Sequence, residues 1–151
     1  MKTFILSIIL CGLMAFTSCT SEKNESTNKA EETDLKAAER VRPASSGGTT
    51  VAYFSYTNEL TIADTLISVN STVAGMTQVH ESYETEDGMM GMREQKNIIV
   101  DGGETLIFKQ GGLHIMLMQL NRNLSEGDTV EVDLMFARSG EVKERIPVKN
   151  Q

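Results

Sequence analysis

The chain has 151 residues, of which 40% are hydrophobic and 23% charged, and a net charge of -7. That acidity excludes nucleic-acid binding, which needs a basic surface, and the length allows one domain of ordinary size. The only two cysteines, Cys11 and Cys19, lie near the start, so the remainder offers no disulfide, thiolate zinc site or cysteine nucleophile, and any metal there falls to His, Met or carboxylates.

Lys2 precedes an apolar run from Phe4 to Phe16. A membrane-spanning helix needs about 20 apolar residues, so this shorter run is expected to be the core of a signal peptide over residues 1–18. It ends in Phe16-Thr17-Ser18-Cys19, small residues leading into a cysteine, as at a bacterial lipoprotein processing site, although Phe16 stands where Leu is more usual. Lipidation is expected at Cys19, and loss of Lys2 with the leader takes the net charge from -7 to -8. Residues 19–39 are rich in Ser, Thr, Asn, Glu and Lys. They cannot bury enough apolar surface to offset their ordering entropy, so a flexible tether is expected. A short helix over Ala30 to Arg40 would have Leu35 as its one sizeable apolar side chain.

From Arg40 to the end, residues 40–151, the texture becomes that of a β domain. Strands are predicted at Thr50 to Tyr56, Ile62 to Asn70, Met76 to Tyr83, Met89 to Glu94, Asn97 to Val100, Thr105 to Lys109, Leu113 to Leu120, Thr129 to Phe136 and Glu141 to Val148. Turns are marked by Gly47-Gly48, Asp87-Gly88, Asp101-Gly102-Gly103, Gly111-Gly112, Glu126-Gly127-Asp128 and Ser139-Gly140. The clearest alternation sets Val130, Val132, Leu134 and Phe136 against Glu131, Asp133, Met135 and Ala137, a half-buried antiparallel strand. Many short strands without a long amphipathic helix predict an all-β antiparallel sandwich or barrel.

Methionine is the anomaly in the composition. Seven remain beyond the leader, and Met89, Met90 and Met92 cluster after one turn while Met116 and Met118 follow His114. Alternation along a strand projects His114, Met116 and Met118 to one side. His80 lies on a separate strand, and Met92 follows the Asp87-Gly88 turn that would return it beside that strand. Thioethers hold Cu(I) well and hard cations poorly, whereas imidazole suits copper and zinc alike. Two of each select one Cu(I) ion, at His80, Met92, His114 and Met116. A blue-copper centre is excluded for want of a cysteine ligand.

Met90 and Met118 are read as flexible packing beneath this site, with a secondary role as spare thioethers, and Met76 and Met135 as packing alone. His80-Glu81 does not open a zinc-protease motif, because Glu84 stands where the second histidine is required. The paired glycines at 102–103 and 111–112 have no following helix and so form no phosphate cradle. With both histidines better explained as ligands, no hydrolase constellation remains and no catalysis is expected.

The spacing His80, eleven residues, Met92, twenty-one residues, His114-x-Met116 resembles the signature of the PCuAC-type periplasmic copper chaperones. Val79-His80-Glu81, Asp87 to Arg93, Gly111 to Met118 and Leu124 to Val130 carry the likeness, which spans about Arg40 to Val148. The resemblance implies a cupredoxin-like Greek-key sandwich that binds Cu(I) and passes it to an apo cuproprotein, typically the CuA domain of cytochrome oxidase. The expected protein is thus a copper chaperone held at a membrane by its lipid. A copper buffer without a dedicated recipient, or an adhesive sandwich whose methionines are merely core, are the rival readings.

Overall fold

The computed structural model describes residues 39–150. The expected signal peptide, Cys19 and nearly all of the expected tether and short helix lie outside the described residues. Ten strands follow in order: β1 (Arg40–Val41), β2 (Thr49–Thr57), β3 (Asp64–Asn70), β4 (Ala74–Glu84), β5 (Met90–Glu94), β6 (Ile98–Val100), β7 (Thr105–Phe108), β8 (Leu113–Leu120), β9 (Thr129–Phe136) and β10 (Gly140–Pro147). There is no helix among the described residues.

The strands form two antiparallel sheets, the sandwich expected from the alternating sequence. One runs β1-β2-β8-β4-β5, with β7 also pairing β2, and the other runs β10-β9-β3-β6. β2 serves two partners, because Thr49 to Ala52 pair with β8 while Phe54 to Thr57 pair with β7. The chain crosses between the sheets at β2–β3, β3–β4, β5–β6, β6–β7 and β8–β9, as a Greek key does and a meander does not.

Period-two alternation builds the core. Val130, Val132 and Leu134 of β9 are fully buried in one core cluster with Ile115 and Leu117 of β8, also fully buried. Tyr56 stacks on Phe136 at 4.5 Å between ring centroids, and Phe54 meets Phe108 at 4.8 Å. On the solvent face of the second sheet, Lys143 bridges Asp133 at 2.7 Å and Glu141 at 2.9 Å. Those carboxylates, together with Glu131, raise its pKa above the usual lysine value.

Several predicted strand ends shift by one or two residues, and two departures have a clear physical reason. The strand expected from Ile62 begins at Asp64, because residues 58–63 form a loop tied to the β6–β7 turn. The Asn58 amide donates to the carbonyls of Ile62, Val100 and Asp101, and Gly102 sits so close that a Cβ there would come within 2.4 Å of Thr61 carbonyl carbon. Asp64 then anchors the β9–β10 turn, accepting from the amides of Thr65, Arg138 and Ser139 and from the Ser139 hydroxyl. Burial alone would raise the Asp64 pKa, but these donors, led by Ser139, bring it down to about 2. The second departure is β1, two residues absent from the sequence expectation, which pair with β2 and lead to a parallel bridge between Val41 and Val148.

Three methionines read as packing are on the surface instead. Met76 is 46%, Met90 68% and Met135 38% exposed. An alternating pattern identifies two faces of a strand but not which face another sheet covers, and each of these side chains takes the uncovered one.

Candidate metal centre

β4, β5 and β8 lie side by side, and their registers decide which residues share a face. His80 of β4 stands directly opposite His114 of β8, Gln78 opposite Met116, and Met76 opposite Met118. Across the other edge of β4, His80 is opposite Glu94, Ser82 opposite Met92, and Glu84 opposite Met90. Since directly opposed residues point the same way, His80, His114, Met116 and Met92 all share the outer face of the first sheet, with Met76, Met90 and Met118. The intervening Val79, Ile115 and Leu117 face the core.

The two imidazoles are neighbours, with ring centroids 6.1 Å apart and planes at 67°. His114 is 4% exposed, and its Nδ1 donates to the carbonyl of Gly112 at 2.9 Å, leaving Nε2 as the free lone pair. The same Gly112 carbonyl accepts from the Ser82 amide at 3.1 Å, so the turn before β8 fixes both the ring and its strand partner. His80 donates from Nε2 to Gln78 Oε1 at 3.1 Å, leaving Nδ1 free. Burial, and after it the adjacent His114, lower the His80 pKa, with Glu94 opposing. The ring is therefore neutral at neutral pH, the form that ligates a metal.

The two sulfurs stand differently. Met116 follows His114 by two residues on the same strand, one pleat repeat of about 7 Å. Met92 is diagonal to His80 on the other side of β4 and is 63% exposed. Because Met92 and Met116 are level with Ser82 and Gln78, four residues of β4 separate them, about 13 Å of strand rise. Their sulfurs can meet over one ion near the histidine pair only if the β4–β5 hairpin curls across the sheet. Met118 lies two residues beyond Met116 on the same face of β8 and is half-buried.

The reverse face of that hairpin is clasped. Arg93 donates to Glu81 from Nη2 at 2.8 Å and lies over the Tyr83 ring at 5.2 Å, while Gln95 Nε2 donates to the same Glu81 oxygen at 2.7 Å. Tyr83 covers Gly91, where a Cβ would come within 2.5 Å of the ring, so a larger residue one place before Met92 would push the Tyr83 ring aside. At the hairpin tip, Gly88 has φ +76 and Thr85 donates its amide to the Met89 carbonyl at 2.8 Å, as the Asp87-Gly88 pair predicts.

Among the described residues no group of three or more His, Cys, Asp or Glu side chains is placed to hold a metal. The histidine pair thus has methionine sulfur as its remaining soft donor. Two flanking residues went unnoticed in the sequence, Gln78, which orients His80, and Glu94, which faces His80 and pairs with Lys96 at 3.3 Å. Glu94 comes there through the hairpin register, whereas Gln78 stands two residues before His80 on the same face of β4.

Comparison with known proteins agrees with this architecture. Residues 34–148 match the family described as "Putative lipoprotein LpqE-like". A relative in Leifsonia xyli subsp. xyli, described as "Putative lipoprotein Lxx21020", is 32% identical over 108 residues, 71% of this chain, and the chain spans 64% of the length of that relative. Among solved structures, the copper-bound PCuAC domain from PmoF2 superposes with a TM-score of 0.58 at 20% identity, covering 74% of this chain and 88% of that one. The Cu(I) form of DR1885 from Deinococcus radiodurans gives 0.52 at 23% identity, covering 74% and 78%. These likenesses establish the cupredoxin-like β-sandwich of PCuAC domains as the fold.

Proposed function

Because the chain belongs to the LpqE-like family of lipoproteins, we propose that it is an extracytoplasmic Cu(I) metallochaperone, anchored to a membrane by a lipid on Cys19 and carrying one ion between His80, Met92, His114 and Met116. The observation that carries this reading is the placement of two neighbouring imidazoles and two thioethers on one sheet face across three hydrogen-bonded strands. That donor set is soft, neutral and free of thiolate, a combination that favours Cu(I) over zinc or the hard divalent cations. The copper-bound PmoF2 domain and Cu(I)-bound DR1885, which share the fold, support copper as the cargo.

Exchange follows from the gradient of exposure across the site. His114 is 4% exposed and Met92 63%, so a recipient's ligands meet the Met92 side first and displace that sulfur before reaching the imidazoles. Proton competition acts on the same ligands, since an imidazole binds metal only when neutral. The recipient is an apo cuproprotein of the envelope, such as the CuA domain of cytochrome oxidase, and residues 19–39 provide the reach toward it. No residue is assigned a catalytic role.

Delivery is tested by incubating the Cu(I)-loaded protein with an apo CuA domain and measuring copper in each after separation. Net movement of copper to the CuA domain is the expected result. Retention would make the protein a copper buffer, and failure to load any Cu(I) would end the copper reading altogether.

A further inference from the structure

The outer face of the first sheet holds more thioethers than the four-residue site uses. Met76 and Met118 are directly opposed across β4 and β8, and Met116 is diagonal to Met76 and two residues before Met118. Opposed Cβ atoms in an antiparallel pair lie about 5 Å apart and diagonal ones within about 8 Å, spacings that long side chains bridge. All three sulfurs therefore belong to one patch, closer in register than Met92 is to Met116. Packing does not account for it, because Met76 is 46% exposed and Met118 half-buried on a face no second sheet covers. The side chains paired with it are uncharged, with Thr49 opposite Met118, Val51 opposite Met116, and Gln78 between Met76 and His80, while Arg42 lines the hollow beside Met116.

We propose that Met76 and Met118, with Met116 shared, form a second Cu(I) site built only of thioether sulfur, beside the histidine site and connected to it through Met116. The identity of the cargo rests on the Cu(I) reading given above. Three neutral soft donors suit a monovalent soft ion and give hard cations nothing to bind. Lacking imidazole, this site holds copper more weakly than the histidine pair and without proton competition in the range where histidine titrates. Met116 has three rotatable side-chain bonds and lies one pleat repeat from both His114 and Met118, so its sulfur can turn from one site to the other. The weaker, more open site then serves as the entry station, and the ion moves from sulfur alone toward sulfur plus nitrogen.

The test follows the methionine methyl resonances of the full-length chain, 13C-labelled at methionine, during anaerobic titration with Cu(I). The Met92 and Met116 methyls are expected to shift over the first equivalent and the Met76 and Met118 methyls over the second, which those two sulfurs hold while Met116 stays on the histidine site. In M76L the Met118 response is lost with the second equivalent, and in the His80→Ala, His114→Ala double variant Met76 and Met118 respond to the first. Leucine keeps similar volume at these surface positions, so folding is preserved. If Met76 and Met118 stay unmoved while Met92 and Met116 shift, the second site is refuted and the histidine site stands. If Met76 and Met118 shift while Met92 and Met116 never do, the second site stands and the four-ligand reading falls, and silence from all four refutes both.

Discussion

Replacing Met116 with leucine is expected to lower Cu(I) affinity at least about a hundredfold, or about 2.7 kcal/mol, with the fold intact. Removal of groups that merely support a metal ligand already costs 10- to 100-fold in affinity, so loss of a ligating sulfur sets that range as a floor. The substitution is clean because leucine and methionine are close in volume and such exchanges cost under about 1.5 kcal/mol. Met116 is also only half-buried, next to Val51 and Gln78. Titration against a chromophoric Cu(I) competitor, with a thermal melt of the apo protein alongside, separates the two effects. Equal affinity in M116L and the parent would remove Met116 from the ligand set.

A second large effect is expected far from the copper face. Asn58 is fully buried, its Nδ2 donates to the carbonyls of Ile62, Val100 and Asp101 at 3.0 to 3.1 Å, and its Oδ1 accepts from the Leu60 amide at 3.1 Å. Alanine would remove these bonds at the loop joining β2 to β3, and each buried group left without a partner costs about 1–3 kcal/mol, although the Asp101 carbonyl keeps the Glu104 amide at 3.0 Å. Partial hydration of the outer carbonyls moderates the sum, so Asn58→Ala should lose about 3 kcal/mol, a large share of the stability of a domain this size. Urea denaturation measures it directly. A loss below about 1 kcal/mol would mean that the loop finds other donors and that Asn58 is not its anchor.

How far the sequence discloses the structure depends on the distance over which its signals act. The alternation of Val130, Val132, Leu134 and Phe136 is local, and the strand and its buried face follow from it directly. The shared side of His114 and Met116 is likewise a property of one strand. Registers are different, because pairing Gln78 with Met116 and Ser82 with Met92 depends on contacts between distant segments. Thus the offset of Met92 from Met116, the place of Glu94 opposite His80 and the sulfur patch at Met76 are not legible in the sequence. The sequence predicts strand over part of the loop at 58–63 for a related reason. Ile62 has strand propensity, but a carbonyl captured by Asn58 and the close approach of Gly102 override it. The family likeness, carried by four spaced residues and their flanks, agrees with the fold seen in the PCuAC structures.

For two ring nitrogens and two sulfurs to close over a single ion, the β4–β5 hairpin must bring Met92 toward the histidine pair. X-ray absorption at the copper edge, on protein loaded with one equivalent of Cu(I), counts those scatterers without assuming their source. The expected first shell contains two sulfurs and two nitrogens, falling to one sulfur in Met92→Leu. A shell with one sulfur or none in the parent protein, or one unchanged by the loss of Met92, would contradict it.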